Sequence, residues 1–196
     1  MKQNLFWNSV MANGAILGLV MVASHIFEQC AVVYGKSMGW LSFMGFEMIF
    51  SIVLFIWMLY RFVKRFSEQV MAEQSIKMFG YGTALGYVFS VSALSGVIVG
   101  LGRYILHNII IGHKAYTEGM ITTMQSILKS NPQTSSMMDA YNQMFSQMAA
   151  QPEPTIINTV ISAIWGYMFW GLVVGLIIAA FVKKEPQVFD SQNSQE

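Results

Sequence analysis

The stretch Ser51–Tyr60, SIVLFIWMLY, decides the fold. A membrane-barrel strand is about 10 residues long and alternates apolar with polar side chains, because one face meets lipid and the other the lumen. This stretch has one hydroxyl outside its aromatic end, no charge and almost no alternation. It reads as the centre of a helix in hydrocarbon, where the backbone satisfies its own hydrogen bonds and lipid accepts apolar side chains on all sides. Extended outward, the apolar run reaches from Trp40 to Tyr60, enough for the roughly 20 residues a helix needs to cross the bilayer core.

Three further spans have the same character, from Leu5 to Tyr34, from Met78 to about Ile111 and from Ile156 to Val182. Pro132, Pro152, Pro154 and Pro186 all fall outside the four spans, as unbroken helices require. The expected fold is therefore all-α: a polytopic membrane protein whose four transmembrane helices form one bundle and one domain over residues 1–196. Composition agrees. Of the 196 residues, 55% are hydrophobic and 11% charged, against about 25% charged in ordinary soluble domains, and the mean hydropathy is +0.50. A net charge of +1 excludes the concentrated basic surface that binds nucleic acid. The single cysteine, Cys30, excludes an intramolecular disulfide or a multi-cysteine metal site.

Basic residues set the expected orientation, since loops retained in the cytoplasm are enriched in Lys and Arg. Lys2, Arg61, Lys64, Arg65, Lys77, Lys183 and Lys184 lie on one side, and Lys36, Lys114 and Lys129 on the other. This predicts that both termini are cytoplasmic, with a tight outer turn at Gly35–Gly39, a cytoplasmic loop from Arg61 to Lys77 and an outer loop over residues 113–154. The polar tail 185–196 reads as disordered and cytoplasmic.

Helices in lipid associate by close packing of small residues, so glycines four apart mark contact faces. Such pairs are Gly14 with Gly18, Gly96 with Gly100, and Gly171 with Gly175; Gly82 with Gly86 lies one end earlier on the third span. Packing within one bundle is the first expectation for them. Ionisable residues share two of these faces. Gly14, Gly18, His25 and Glu28 fall within an arc of about 80°, as do Ser92, Gly96, Gly100, Arg103 and His107. On the second span Glu47 stacks with Ser51. With spans of alternating direction, His25, Glu28, Glu47, Arg103 and His107 come to similar depth near the outer side. They define a candidate intramembrane polar cluster, in which Arg103 can neutralise the two carboxylates. Such a cluster is structural glue, a proton or ion relay, or a small binding pocket.

Two rarer chemistries find their residue types in this sequence. His25 and His107 on facing stripes have the residue type for axial haem ligands in a bundle. Six of the 16 methionines sit in the outer loop, and thioethers are soft copper ligands. Neither pattern has a second motif beside it, so no cofactor and no metal ligand is expected. In that loop Met120, Ile121, Met124, Ile127 and Leu128 form one amphipathic stripe; Met137, Met138, Tyr141, Met144, Phe145 and Met148 form another. Two short helices follow, lying on the membrane surface or covering the polar cluster. No phosphate-binding loop, HExxH pair, GxSxG elbow or CxxCH haem site occurs.

The Lys2–Trp7 start, the GYGTALGY run of Gly80–Tyr87, the glycine-rich third helix, the polar outer loop and the FVKK ending at Lys184 together resemble the DUF4199 family of uncharacterised bacterial integral membrane proteins. The resemblance covers essentially the whole chain and implies a four-helix inner-membrane protein, with no catalytic or ligand residues to carry over. The expected function is non-enzymatic: a structural, accessory or complex-forming protein with the lipid bilayer and a homo-oligomer or membrane-protein partner as its contacts. A small oligomeric transporter or proton conductor using the Glu/Arg/His cluster is the alternative, and a haem or copper redox protein the third.

Overall fold

A computed structural model describes residues 3–34, 38–74, 78–130 and 138–184. The predicted turn around Lys36 and the tail 185–196 fall outside the described residues, the turn's last two residues excepted. The described chain forms α1 (Gln3–Tyr34), α2 (Met38–Gln74), α3 (Tyr81–Tyr104), a π-helical segment (Ile105–Ile111), α4 (His113–Ser130), α5 (Met138–Ala149) and α6 (Ile156–Val182). Four helical stretches are long and apolar enough to cross a membrane: Asn4–Val33, Ser42–Glu73, Tyr81–Ile111 and Ile156–Val182. The all-α, polytopic architecture read from the sequence is the one observed.

The bundle is built around α3, which packs most extensively against α6 and next against α1. Glycine explains why. A Cβ on Gly96 would stand 2.8 Å from the Ile164 Cα, and one on Gly100 would stand 2.7 Å from the Val160 Cα, so the α3 and α6 backbones touch where no side chain separates them. Further along the same antiparallel contact, Gly171 lies over Ser92 and Gly175 over Val88. The parallel contact of α1 with α3 runs at constant offset: Gly14 against Leu94, Gly18 against Ile98, and Val22 against Gly102. Leu17, Val88, Val91 and Val99 fill the interior between these faces.

Two elements differ from expectation. The stretch 61–74, expected as a cytoplasmic loop, continues α2 without a break, making a helix of 37 residues, or about 55 Å at helical rise. Its apolar residues recur at helical spacing, and Phe62, Val63, Phe66 and Val70 are buried. Phe66 stacks on Tyr87 with centroids 4.2 Å apart and meets the edges of Phe6 and Phe79. The third span, expected as one helix, widens into the π-helical turn before Gly112, whose φ of 88° ends it in a region that only glycine enters without strain.

At the opposite end of α3, Phe79 and Lys184 exchange backbone hydrogen bonds of 3.1 and 3.0 Å, tying the start of α3 to the end of α6. In the segment between the third and fourth spans, α4 begins at His113 and lies across the end of α1. Gly119 sits against Val33, with a Cβ there meeting its Cα at 3.1 Å, and the Thr123 hydroxyl donates to the Val32 carbonyl at 3.1 Å. Helix α5 packs on α4.

Candidate functional site

The polar side chains at the end of the bundle where α1 ends and α6 begins fall into three groups rather than one network. The first joins α1 to α2. The hydroxyls of Ser24 and Ser51 both donate to Glu47 Oε1, the second over 2.7 Å. Ser51 is one helical turn beyond Glu47, while Ser24 reaches across from α1, so the deepest carboxylate in the sequence is held between two hydroxyls.

The second group lies on α1, where His25 Nδ1 and Glu28 Oε2 are 2.7 Å apart. One turn of helix separates them, so this pair forms within α1 without help from another span. Arg103, on α3, lies in electrostatic reach of Glu28 and His107 and of Tyr116 and Tyr167. Among the described residues it forms no ion pair with a carboxylate. This corrects the expected neutralising contact: Glu28 is paired to His25, Glu47 to two serines, and Arg103 stands beside both α1 and α4 as an unshared cation.

The third group was not foreseen. His107 Nε2 lies 3.1 Å from His113 Nδ1, and the two rings stack at 5.2 Å. His113 Nε2 donates to the Gln151 carbonyl at 3.4 Å, which leaves Nδ1 of the neutral ring as the acceptor for His107. Tyr116 covers His107, with ring centroids 4.1 Å apart, and Asn108 donates to the Pro154 carbonyl at 3.0 Å. The end of α3, the start of α4 and the linker before α6 thereby meet at one point. Burial, and secondly the Glu28 carboxylate, push the Tyr116 hydroxyl above its ordinary 10.0, with Arg103 opposing. The π turn and Gly112 set His107 and His113 face to face although six residues separate them, a spacing that an unbroken α-helix does not bring together.

The haem reading needed His25 and His107 to face one another. They instead belong to different pairs. Among the described residues no group of three or more His, Cys, Asp or Glu is arranged to hold a metal ion. What this end of the bundle offers is hydrogen-bonding and ionisable groups at close range: a carboxylate between hydroxyls, an imidazole–carboxylate pair and an imidazole pair, with one arginine among them.

A fourth polar group, also absent from the sequence reading, lies toward the other end of the bundle. Tyr87 OH is 2.7 Å from Ser9 Oγ and accepts from Asn13 Nδ2 at 2.6 Å, while Ser95 Oγ donates to the Gly14 carbonyl at 3.1 Å. These bonds fasten α1 to α3 across hydrocarbon.

Four helices long and apolar enough to cross a membrane, packed on one another through glycine faces, define a multi-pass integral membrane protein. The chain belongs to the DUF4199 family, described as a protein of unknown function, whose profile matches residues 12–184. No curated protein and no solved structure is matched.

Proposed function

We propose that the protein is a non-enzymatic multi-pass protein of the bacterial inner membrane, with both ends of the chain in the cytoplasm, that works by associating with a second copy of itself. One observation on α3 carries the reading. Gly14, Gly18, Gly96, Gly100, Gly171 and Gly175 each abut a neighbouring helix of the same chain, whereas a Cβ added at Gly82 or Gly86 would meet no other part of the chain within 4 Å. The two glycines are one turn apart on the most embedded helix, and both are exposed. They form the kind of face on which a second helix approaches closely in lipid. The polar groups support the same reading, since Glu47, Tyr87 and Ser95 are engaged in holding helices. The seven-to-three distribution of basic residues supports the orientation.

The test is native mass spectrometry of the detergent-purified protein beside Gly86→Leu. The monomer has room for the leucine, so the expected result is an oligomer for the natural sequence and a folded monomer for the variant. A monomer in both, or an oligomer in both, overturns the proposal.

The arrangement at Glu47 favours a second reading, proton conduction through the outer cluster. In liposomes that reading expects a pH-driven flux that Glu47→Gln abolishes while the protein stays folded. Equal flux with the variant, or none with either protein, removes it.

A further inference from the structure

Away from the outer cluster, a cavity of about 100 Å³ opens between α2 and the end of α6, lined by Tyr60, Lys64, Ser67, Glu68, Phe181 and Lys184, with Val182 beside them. Nearer the middle of the spans the same two helices touch through Phe55 and Tyr167, whose rings meet edge to face at 5.6 Å. The cavity lies where both apolar runs end. On α2 the run stops at Tyr60, and the next residue, Arg61, stacks over Trp57 at 5.2 Å, an arrangement suited to the boundary between hydrocarbon and headgroups. On α6 the run stops at Val182, before the two lysines.

The two cations of this cavity come from different elements and are held by backbone. Lys184 is fixed by its paired backbone hydrogen bonds to Phe79. Lys64 lies mid-helix, its carbonyl accepting from Ser67 Oγ at 2.7 Å. Neither lysine is in an ion pair among the described residues. Phe181, at 79% exposed, presents an apolar face beside them.

We propose that this cavity binds the headgroup of a glycerophospholipid, its phosphodiester between Lys64 and Lys184 and an acyl chain along Phe181. Basic crevices between membrane helices at headgroup depth select anionic lipid in this way. Glu68 refines the choice. Two lysines against its one carboxylate leave the lining net positive, which favours a net-negative headgroup over a zwitterionic one. The carboxylate accepts hydrogen bonds from headgroup hydroxyls, and the apolar Phe181 gives inorganic phosphate nothing to rest on. The ligand is thus a lipid of the phosphatidylglycerol type, rather than inorganic phosphate or a choline lipid without donors.

The experiment uses the full chain, delipidated in detergent, with phosphatidylglycerol, phosphatidylcholine or inorganic phosphate added and bound lipid read by native mass spectrometry. Phosphatidylglycerol is expected to bind more tightly than phosphatidylcholine. Replacing both lysines (Lys64→Ala with Lys184→Ala) removes two charge-assisted contacts and should weaken binding about tenfold or more, while Lys114→Ala in the outer loop leaves it unchanged. Circular dichroism shows that each variant is folded; if the double alanine variant is not, Lys64→Gln and Lys184→Gln singly carry the same expectation. Equal binding of the two lipids, an unaffected lysine variant, or displacement of the lipid by millimolar inorganic phosphate would each overturn the proposal.

Discussion

The imidazoles of His107 and His113 lie 3.1 Å apart, Nε2 to Nδ1, across the glycine that ends the third span. This contact joins a membrane helix to the helix lying over the end of α1, and Gln151 extends it to the linker before α6. A hydrogen bond of this sort contributes about 0.5–1.5 kcal/mol net. His113→Phe keeps the ring and removes both bonds. Hydrogen exchange should then quicken in α4 and in the linker after α5 while α3 and α6 stay protected; unchanged exchange in α4 would show that the pair does not hold it.

The same corner predicts an alkaline effect. Tyr116 has its hydroxyl pKa raised by burial and by Glu28, so folding favours the neutral phenol. A raised folded value means this contribution is fully present below pH 10 and is lost as pH rises through the folded value. Thermal unfolding in detergent, compared between the natural sequence and Tyr116→Phe, should show the natural protein losing stability relative to the variant above about pH 10. Parallel curves through that range would contradict the assignment.

Glycine positions separate cleanly by what surrounds them. Gly100→Val places atoms on the Val160 backbone, which cannot yield as a side-chain tip can, so a loss of about 1–3 kcal/mol or more is expected. Gly86→Ala has open space and should leave the monomer's unfolding midpoint unchanged. Midpoints in one detergent check both.

Tyr87→Phe retains the stack on Phe66 and removes the hydroxyl between Ser9 and Asn13. Polar contacts between membrane helices average about 0.6 kcal/mol, with a maximum near 1.7, and a loss in that range is expected in equilibrium unfolding. Asn13→Leu in addition should cost little more, because the bond Asn13 then still makes, to Ser9 Oγ at 3.1 Å, lies within α1 and joins no second helix.

The spans were legible because crossing hydrocarbon imposes both length and composition on a helix. The glycine pairs were legible because close backbone approach admits few residue types. The continuation of α2 was present as a signal, since Phe62, Val63, Phe66 and Val70 keep helical spacing among Arg61, Lys64 and Arg65, but the charges read as the end of the span. Periodicity gives the face of each helix and leaves open the rotation and sliding between helices. Depth and face therefore brought Glu28, Glu47 and Arg103 near one another, yet Ser24 reached Glu47 first, and His25 reached Glu28 from its own helix. His113 was out of view because a π turn shifts the register that an α-helical wheel assumes.

Association through Gly82 and Gly86 is the central claim, and cross-linking in native membranes tests it most directly. With Cys30→Ser as background, Gly82→Cys and Gly86→Cys should form disulfide-linked dimers on mild oxidation, while Phe169→Cys, on an exposed face of α6, should not. Monomers at both glycine positions, or cross-linking equal to that at position 169, would contradict it.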